Sequence, residues 1–174
     1  KVMENKQILL ASRPNGVVVP ENFKLATAAV PEPSKGEMLL QTIYMSVDPY
    51  MRGRMNDVKS YVPPFQIGEL LQAGIVGKVV KSNGGKYPEG TYLTGMGLWA
   101  NYMVTNGEGF QPVDPDLAPL SYYLGVLGMP GMTAYVGLKG VAELKEGDQL
   151  VVCDAYGAVG EFVGQVGTSA GCHV

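Results

Sequence analysis

Histidine and cysteine are scarce in this chain of 174 residues, which has one histidine, His173, and two cysteines, Cys153 and Cys172. A structural zinc takes four nitrogen or sulfur ligands and a catalytic zinc about three, so no zinc site is expected. The single histidine stands next to the last residue, so a Ser-His-Asp or Cys-His hydrolase relay is not expected either. Cys153 lies in an apolar run and is expected to be a small buried thiol.

Long apolar runs and an excess of positive charge are also missing. No apolar run approaches the roughly 20 residues that a membrane helix needs, and the first residues lack the apolar stretch of a secretory signal. The net charge of −3 disfavours a nucleic-acid or anionic-membrane surface. Hydrophobic residues make up 46%, which is enough for a core. A soluble, cytoplasmic protein without nucleic-acid or membrane partners is expected.

Up to about residue 118 the sequence predicts short strands separated by turns rich in glycine and proline. The predicted strands are Lys6–Leu10, Glu37–Val47, Gly74–Lys81 and Trp99–Thr105. A further strand is expected after the turn KYPEG. Such short, regularly punctuated strands predict a closed or partly closed antiparallel β-domain.

The periodicity changes near Pro119. The stretch LSYYLGVLG has apolar residues at helical spacing, and Pro130 can open a second helix. The apolar run QLVVCDA, residues 149–155, is typical of a strand buried on both faces. A helix over GAVGEFVGQVGTSAG follows, and CHV is expected to begin the next parallel strand. This order predicts the start of a doubly wound α/β sheet.

The turn AYGAVG, residues 155–160, fits the dinucleotide-binding fingerprint with alanine in its first place. Ala155 is tolerable there if its φ stays negative. Gly157 would let the backbone approach a pyrophosphate, and Gly160 would let the helix pack closely on the strand. The alternative is a glycine-rich packing turn without a ligand. The residue that distinguishes NAD from NADP is expected about 20 positions later, beyond Val174, so spacing leaves both cofactors open.

Three stretches together resemble a known family: SVDPYMRGRM (46–55), LSYYLGVLGMPGMTAY (120–135) and AYGAVGEFVGQ (155–165). In this order and spacing they resemble the zinc-independent branch of the medium-chain dehydrogenase/reductase superfamily. More narrowly, they resemble its NADPH-dependent alkenal and enone double-bond reductases, which include prostaglandin reductases, plant double-bond reductases and bacterial curcumin reductase.

The resemblance implies an α+β fold in two domains. Residues 1–119 would be a GroES-like catalytic β-barrel domain whose C-terminal part is absent, and residues 120–174 the first βα unit of an NADP-binding Rossmann domain. The chain is therefore expected to be a fragment of a protein about twice as long. The family commonly forms dimers, so a homodimer is a further expectation.

The implied activity is zinc-independent transfer of a hydride from NADPH to the β-carbon of an α,β-unsaturated ketone or aldehyde. Without zinc, hydrogen-bond donors must polarise the carbonyl. The resemblance makes Tyr50 the catalytic donor, which also binds substrate, and places Trp99 at the pocket mouth. The implied NADP(H)-binding residues are Met132, Thr133, Ala155, Gly157, Ala158, Val159 and Gly160.

Each of these roles has a structural alternative. Tyr50 could be an aromatic side chain packed beside Pro49, Trp99 a core residue, and Met132 part of a helix core. Arg52 and Arg54 are interpreted as structural or surface charges.

The chain also departs from the family pattern. Ala73 stands where plant members carry a second pocket tyrosine, so a wider or differently lined pocket is expected. Asp154 and Tyr156 replace small residues around the glycine turn, and Tyr156 must point away from the phosphates.

Two other functions stay open. One is an NADPH quinone oxidoreductase of the same superfamily, although DPYMR favours the enone reductase. The other, if the chain is complete, is a GroES-like binding module without enzymatic activity.

Overall fold

A computed structural model describes residues 4–174, which divide into two compact units between Pro115 and Asp116. The first unit is built mostly of strands and the second of helices. No helix in residues 4–174 is long and apolar enough to cross a membrane.

The first unit contains two antiparallel sheets and one short helix, α1 (Tyr50–Arg54). The strands are β1 (Glu4–Leu10), β2 (Phe23–Ala29), β3 (Glu37–Met45), β4 (Gln72–Asn83), β5 (Tyr92–Leu98), β6 (Tyr102–Thr105) and β7 (Gln111–Pro112). Strands β1 and β2 form one sheet, and the other has the order β6-β3-β4-β5-β7. Single bridges from Gln7 to Ala100 and from Leu9 to Leu70 tie β1 to chain segments flanking β4 and β5.

Two apolar clusters form the core of this unit. The first consists of Leu10, Met51, Met55, Phe65, Leu71 and Ala73. The second consists of Met38, Leu40, Ile75, Val79, Leu93 and Phe110. Strand β4 supplies residues to both clusters, and Ala73 and Ile75 share one face of it because side chains alternate along a strand. Strand β4 therefore packs against Met51 of α1 through Ala73, and against residues of β3 and β5 through Ile75.

The predicted strands Lys6–Leu10, Glu37–Val47 and Gly74–Lys81 are found with slightly different bounds. The predicted strand Trp99–Thr105 is wrong in its first half, because β5 ends at Leu98 and β6 starts only at Tyr102. At Trp99 the chain changes partners: its N–H donates to the Leu71 carbonyl at 2.8 Å, and its own carbonyl accepts from the Ile8 N–H at 2.8 Å.

The second unit contains helices α2 (Met129–Tyr135) and α3 (Gly160–Ser169). Pro130 stands in the first turn of α2, as predicted. The chain then continues as a π-helical segment, Val136–Val141, in which the Ala142 N–H donates to the Gly137 carbonyl at 2.9 Å. The predicted helix over LSYYLGVLG is only a 3₁₀ segment, Leu120–Leu124, since Gly125 leaves helical geometry with φ −119° and ψ −110°.

The predicted strand over residues 149–155 is wrong in extent. It is reduced to one parallel bridge between Gln149 and His173, with the Leu150 N–H donating to the His173 carbonyl at 2.7 Å. Val151 is 89% exposed, and Cys153 is exposed instead of forming a buried thiol. An apolar run forms a strand only where a neighbouring strand continues its hydrogen-bond ladder. Within residues 4–174, the bridge from Gln149 to His173 is the only such pairing of residues 149–155.

Candidate functional site

Tyr50 is the first residue of α1 and is half-buried against the first apolar cluster. The turn before it is closed by two hydrogen bonds. The Ser46 hydroxyl donates to Asp48 Oδ2 at 2.7 Å, and the Met51 N–H donates to the Asp48 carbonyl at 3.1 Å. Local polar contacts and core packing together hold the ring in place.

The pKa of the Tyr50 phenol is raised above its ordinary value of 10.0. Burial raises it most, because a phenolate loses hydration, and the Asp48 carboxylate raises it further. The positive charge of the Arg54 guanidinium lowers it in part. The phenol is therefore protonated at neutral pH and can donate a hydrogen bond.

Both arginines of α1 have structural contacts. Arg52 donates to the Gly16 carbonyl at 2.8 Å and to Asn56 Oδ1 at 2.8 Å, which fastens the 14–16 turn to the helix. Arg54 donates to the Pro63 carbonyl at 2.9 Å and stacks over the Phe65 ring at 4.0 Å. These contacts agree with the interpretation of the two arginines as structural charges.

Trp99 packs against the same apolar cluster as Tyr50. Its indole stacks on Phe23 with ring centroids 6.2 Å apart and an angle of 12° between the planes. Its buried Nε1 has no hydrogen-bond acceptor within residues 4–174. Ala73, which replaces the plant tyrosine, is completely buried in this cluster as well. Tyr50 and Trp99, the two predicted substrate residues, therefore pack against the same apolar cluster. That cluster contains Ala73, where the chain departs from the plant pattern.

The glycine turn has its unusual backbone angle at Asp154 and not at Ala155. Asp154 has a φ of 55°, and Ala155 is not among the residues with positive φ. The Gly157 N–H donates to the Asp154 carbonyl at 2.9 Å and closes the turn. Asp154 is a residue type that tolerates this left-handed conformation. Ala155 therefore fits the first position of the turn, because its φ is not positive.

Gly160 is required by close packing. A Cβ at this position would overlap the Asp154 carbonyl oxygen and lie 2.9 Å from its carbon, closer than real Cβ atoms approach backbone. At Gly157 the nearest atoms belong instead to the Asp154 carboxylate. The absence of a side chain at Gly160 thus allows α3 to start directly against the end of the preceding segment.

The start of α3 offers free hydrogen-bond donors. In the described chain, the N–H groups of Ala158, Val159 and Gly160 donate to no protein acceptor. Such groups at a helix N-terminus, together with the helix dipole, attract phosphate. Tyr156 is fully exposed and so does not cover them. This turn therefore presents backbone donors that can bind an anion.

Met132 and Thr133 lie on α2. Met132 is 62% exposed, so it is not part of the core that residues 4–174 form. Thr133 is exposed and its hydroxyl donates to the Met129 carbonyl at 2.7 Å.

A cleft of ≈510 Å³ runs along α3. It is lined by Val152, Ala155, Gly160, Glu161, Gly164, Gln165, Thr168, Ser169 and Val174. The cleft includes Ala155 and Gly160 but not Gly157, Ala158 or Val159. It follows the side of the helix and reaches Gly160, one of the three residues with a free N–H group.

Residues 6–113 match the family model described as the N-terminal domain of oxidoreductase. The chain is 46% identical to the NADPH-dependent curcumin reductase of Escherichia coli, over 98% of this chain and 49% of that protein. It is 36% identical to the NADP⁺-dependent 2-alkenal reductase of Nicotiana tabacum, over 99% of this chain and 52% of that protein. The crystal structure of CurA from Vibrio vulnificus in complex with NADPH superposes with a TM-score of 0.90 at 46% identity, over 96% of this chain and 50% of that one.

The chain belongs to the zinc-independent medium-chain dehydrogenase/reductase family. Within that family it falls in the alkenal and enone double-bond reductase group. It spans about half the length of the curated relatives that it matches. Within residues 4–174, no group of three or more histidine, cysteine, aspartate or glutamate side chains could hold a metal ion.

The sequence alone indicates that Arg54 is a structural or surface charge. In the structure its positive charge also lowers the pKa of the Tyr50 phenol. A spacing of four residues within SVDPYMRGRM is the signal that could have identified it, since residues at that spacing share a helix face.

Proposed function

We propose that the full-length protein reduces the carbon–carbon double bond of α,β-unsaturated ketones and aldehydes with NADPH. Its residues 1–119 would form the GroES-like catalytic barrel, and residues 120–174 would begin the Rossmann domain. The observation that carries the proposal is Tyr50: a half-buried phenol with a raised pKa that stays protonated on a rigid apolar cluster. The similarity to an NADPH-dependent curcumin reductase and an NADP⁺-dependent 2-alkenal reductase supports the reaction and the cofactor.

The glycine turn is the proposed site for the NADPH pyrophosphate. The free N–H groups of Ala158, Val159 and Gly160 would donate to its oxygens, and Ala155 and Gly157 would shape the turn. Met132 and Thr133 would lie beside the nicotinamide, and their exposure on α2 leaves them accessible. When bound, NADPH supplies the hydride that goes to the substrate β-carbon.

Tyr50 would act on the substrate carbonyl. As the β-carbon gains the hydride, the electrons of the double bond move toward the carbonyl oxygen, which becomes negative. The Tyr50 O–H donates a hydrogen bond to that oxygen and stabilises this charge. The α-carbon then takes up a proton, which restores the carbonyl and leaves a single bond between the α- and β-carbons. Trp99 would border the substrate from the same apolar cluster.

The test follows NADPH absorbance with a 2-alkenal and the full-length protein. Removing the donor in Tyr50→Phe is expected to lower kcat/KM about 100-fold, because positioned proton donors contribute at least that much. The Kd for NADPH should stay unchanged. Tyr44→Phe is the control, since Tyr44 is an exposed tyrosine on β3.

Two results would contradict the proposal. Turnover of a quinone with no oxidation of NADPH by any enone would make the protein a quinone oxidoreductase of the same family. If the full-length protein does not bind NADPH, both the enone reductase and the quinone oxidoreductase functions are wrong. The non-enzymatic GroES-like binding module is then the remaining alternative.

A further inference from the structure

Asparagine is followed by glycine at three places in the first unit, residues 15–16, 83–84 and 106–107. An asparagine before glycine can lose its amide without an enzyme, because no side chain shields the glycine nitrogen. The glycine has a positive φ in all three pairs, and Asn15, Asn83 and Asn106 are all exposed. Neither backbone conformation nor exposure therefore distinguishes the three sites.

The reaction needs an accessible glycine nitrogen and a mobile asparagine side chain. The glycine nitrogen loses its proton and attacks Cγ of the asparagine, so that a bond from nitrogen to Cγ forms and the bond from Cγ to Nδ2 breaks. The amide nitrogen leaves as ammonia, and a cyclic succinimide remains. Water then opens the ring at either carbonyl, which gives aspartate or isoaspartate. The only co-reactant is water.

Asn83 is held in place at the end of a strand. It is the last residue of β4 and pairs with Glu37 of β3. Its Nδ2 donates to the Pro33 carbonyl at 3.2 Å, and its main-chain carbonyl accepts from the Gly36 N–H at 2.7 Å. The side chain and the main chain of Asn83 would both have to leave these partners before Cγ could meet the Gly84 nitrogen.

At Asn106 the attacking nitrogen itself is engaged. The Gly107 N–H donates to Thr105 Oγ1 at 3.0 Å, and Gly107 is buried. The Asn106 Oδ1 accepts from the Glu108 N–H at 2.9 Å. Both reacting groups are therefore held by hydrogen bonds, and the Gly107 proton is available to solvent only after the first bond opens.

Asn15 has none of these restraints. It lies in a bend outside the helices and strands. Within residues 4–174, neither its side-chain amide nor the Gly16 N–H has a hydrogen-bond partner. A Cβ built on Gly16 would meet no atom within 4 Å, so there is space for the amide beside the Gly16 nitrogen. Asn15 therefore differs from Asn83 and Asn106 in the freedom of both reacting groups.

The product at Asn15 has a structural consequence. The Gly16 carbonyl accepts from Arg52 Nη2 at 2.8 Å and from Arg52 Nε at 3.3 Å, and Arg52 belongs to α1. In isoaspartate the main chain runs through the Cβ and Cγ of residue 15, which inserts one methylene before Gly16. This insertion displaces the Gly16 carbonyl from the guanidinium.

We propose that Asn15 is a site of spontaneous deamidation and that its isoaspartate product releases the 14–16 turn from Arg52. The net change is the loss of ammonia and the gain of water at one side-chain amide. This inference does not depend on the proposed reaction, because it uses only the contacts of this turn.

The first test compares the three sites within one sample. Full-length protein is incubated in mildly alkaline buffer, and the peptide containing each asparagine is followed by mass spectrometry for conversion of amide to acid. Asn83 and Asn106 are expected to convert at least about fivefold more slowly than Asn15, since a hydrogen bond that must open first lowers the reactive population by about that factor. Equal rates, or faster conversion at Asn83 or Asn106, would overturn the inference.

The same measurement in urea is the control. Unfolding removes the hydrogen bonds at Asn83 and Asn106, so the three rates are expected to converge. If Asn15 kept the same lead in the unfolded protein, the difference would come from the neighbouring sequence, and the structural argument would be wrong.

The second test concerns Arg52. Incubation until Asn15 is largely converted should lower the Tm of the wild type by about 2 °C, because a hydrogen bond to a charged group is lost. Asn15→Ser has no amide to lose at this position and should keep its Tm. Arg52→Met lacks the contact from the start, so the same incubation should lower its Tm less than that of the wild type. An unchanged wild-type Tm, or an equal fall in either variant, would contradict the release from Arg52.

Discussion

Within residues 4–174, the unit that ends at Pro115 contains a packed apolar core, whereas the unit Asp116–Val174 buries few apolar side chains. All but two of the buried apolar residues, Ala134 and Leu138, belong to the first unit. The second unit exposes large apolar side chains on α2, on the π-helical segment and at Val151. The proposed substrate residues thus stand on a packed core, whereas the proposed nucleotide turn is shaped by backbone contacts.

The two proposed sites are therefore positioned by different interactions. Tyr50 and Trp99 are positioned by packing against the buried side chains of the first cluster. The glycine turn is placed by the missing Cβ of Gly160 and by the φ of Asp154. Core substitutions should therefore affect the stability of the first unit, and glycine substitutions should affect binding in the second.

The largest expected effect is on stability. Ile75→Ala removes a completely buried side chain of the second cluster and should lower the free energy of unfolding by about 3 kcal/mol. Val17→Ala, at an apolar position of the same unit that is 84% exposed, should change it by less than about 0.5 kcal/mol. Urea denaturation of both variants measures the difference. Equal losses would show that the buried cluster does not determine the stability of the first unit.

The next effect concerns the glycine turn. In Gly160→Ala the new Cβ would press on the Asp154 carbonyl carbon and displace the start of α3. The affinity for NADPH should fall about tenfold, because the N–H groups no longer point to one site. Gly164→Ala is the control, since its nearest neighbour is the Val174 side chain at 4.0 Å. Isothermal titration with NADPH measures both; an unchanged Kd in Gly160→Ala would argue for a packing turn without a ligand.

The smallest effect tests a charge. The Asp154 carboxylate lies against Gly157 in the turn proposed to bind pyrophosphate, so like charges should repel there. Asp154→Asn keeps the left-handed φ and should tighten NADPH binding about threefold at low salt, with the gain shrinking as salt is added. Glu143→Gln changes the other non-glycine residue with positive φ and should leave the Kd alone. Weaker binding in Asp154→Asn would mean that the carboxylate has a structural role instead.

The strands of the first unit could be predicted because glycine and proline mark their ends and apolar residues fill their cores. Strand β2 was not predicted, because Phe23–Ala29 is rich in alanine and pairs only with β1. Helix α1 was not predicted either, since five residues that include Gly53 show no helical period. Its stability comes from contacts far along the chain, such as Arg54 with Pro63.

The second unit shows where an apolar pattern is insufficient. Residues 149–155 have the composition of a buried strand, yet a strand also needs a partner of matching length, which no local pattern encodes. The glycine positions were informative because steric exclusion at Gly160 depends on the chain within six residues of it. The roles proposed for Tyr50, Trp99, Met132 and Thr133 came from the family resemblance and stay predictions.

The shared packing of Tyr50 and Trp99 has a consequence for engineering. Their common support consists of Leu10, Met51, Met55, Phe65, Leu71 and Ala73. A library that repacks this cluster to raise heat resistance would also shift the two side chains proposed to border the substrate. Selection for thermostability and selection for substrate range would therefore sample the same variants.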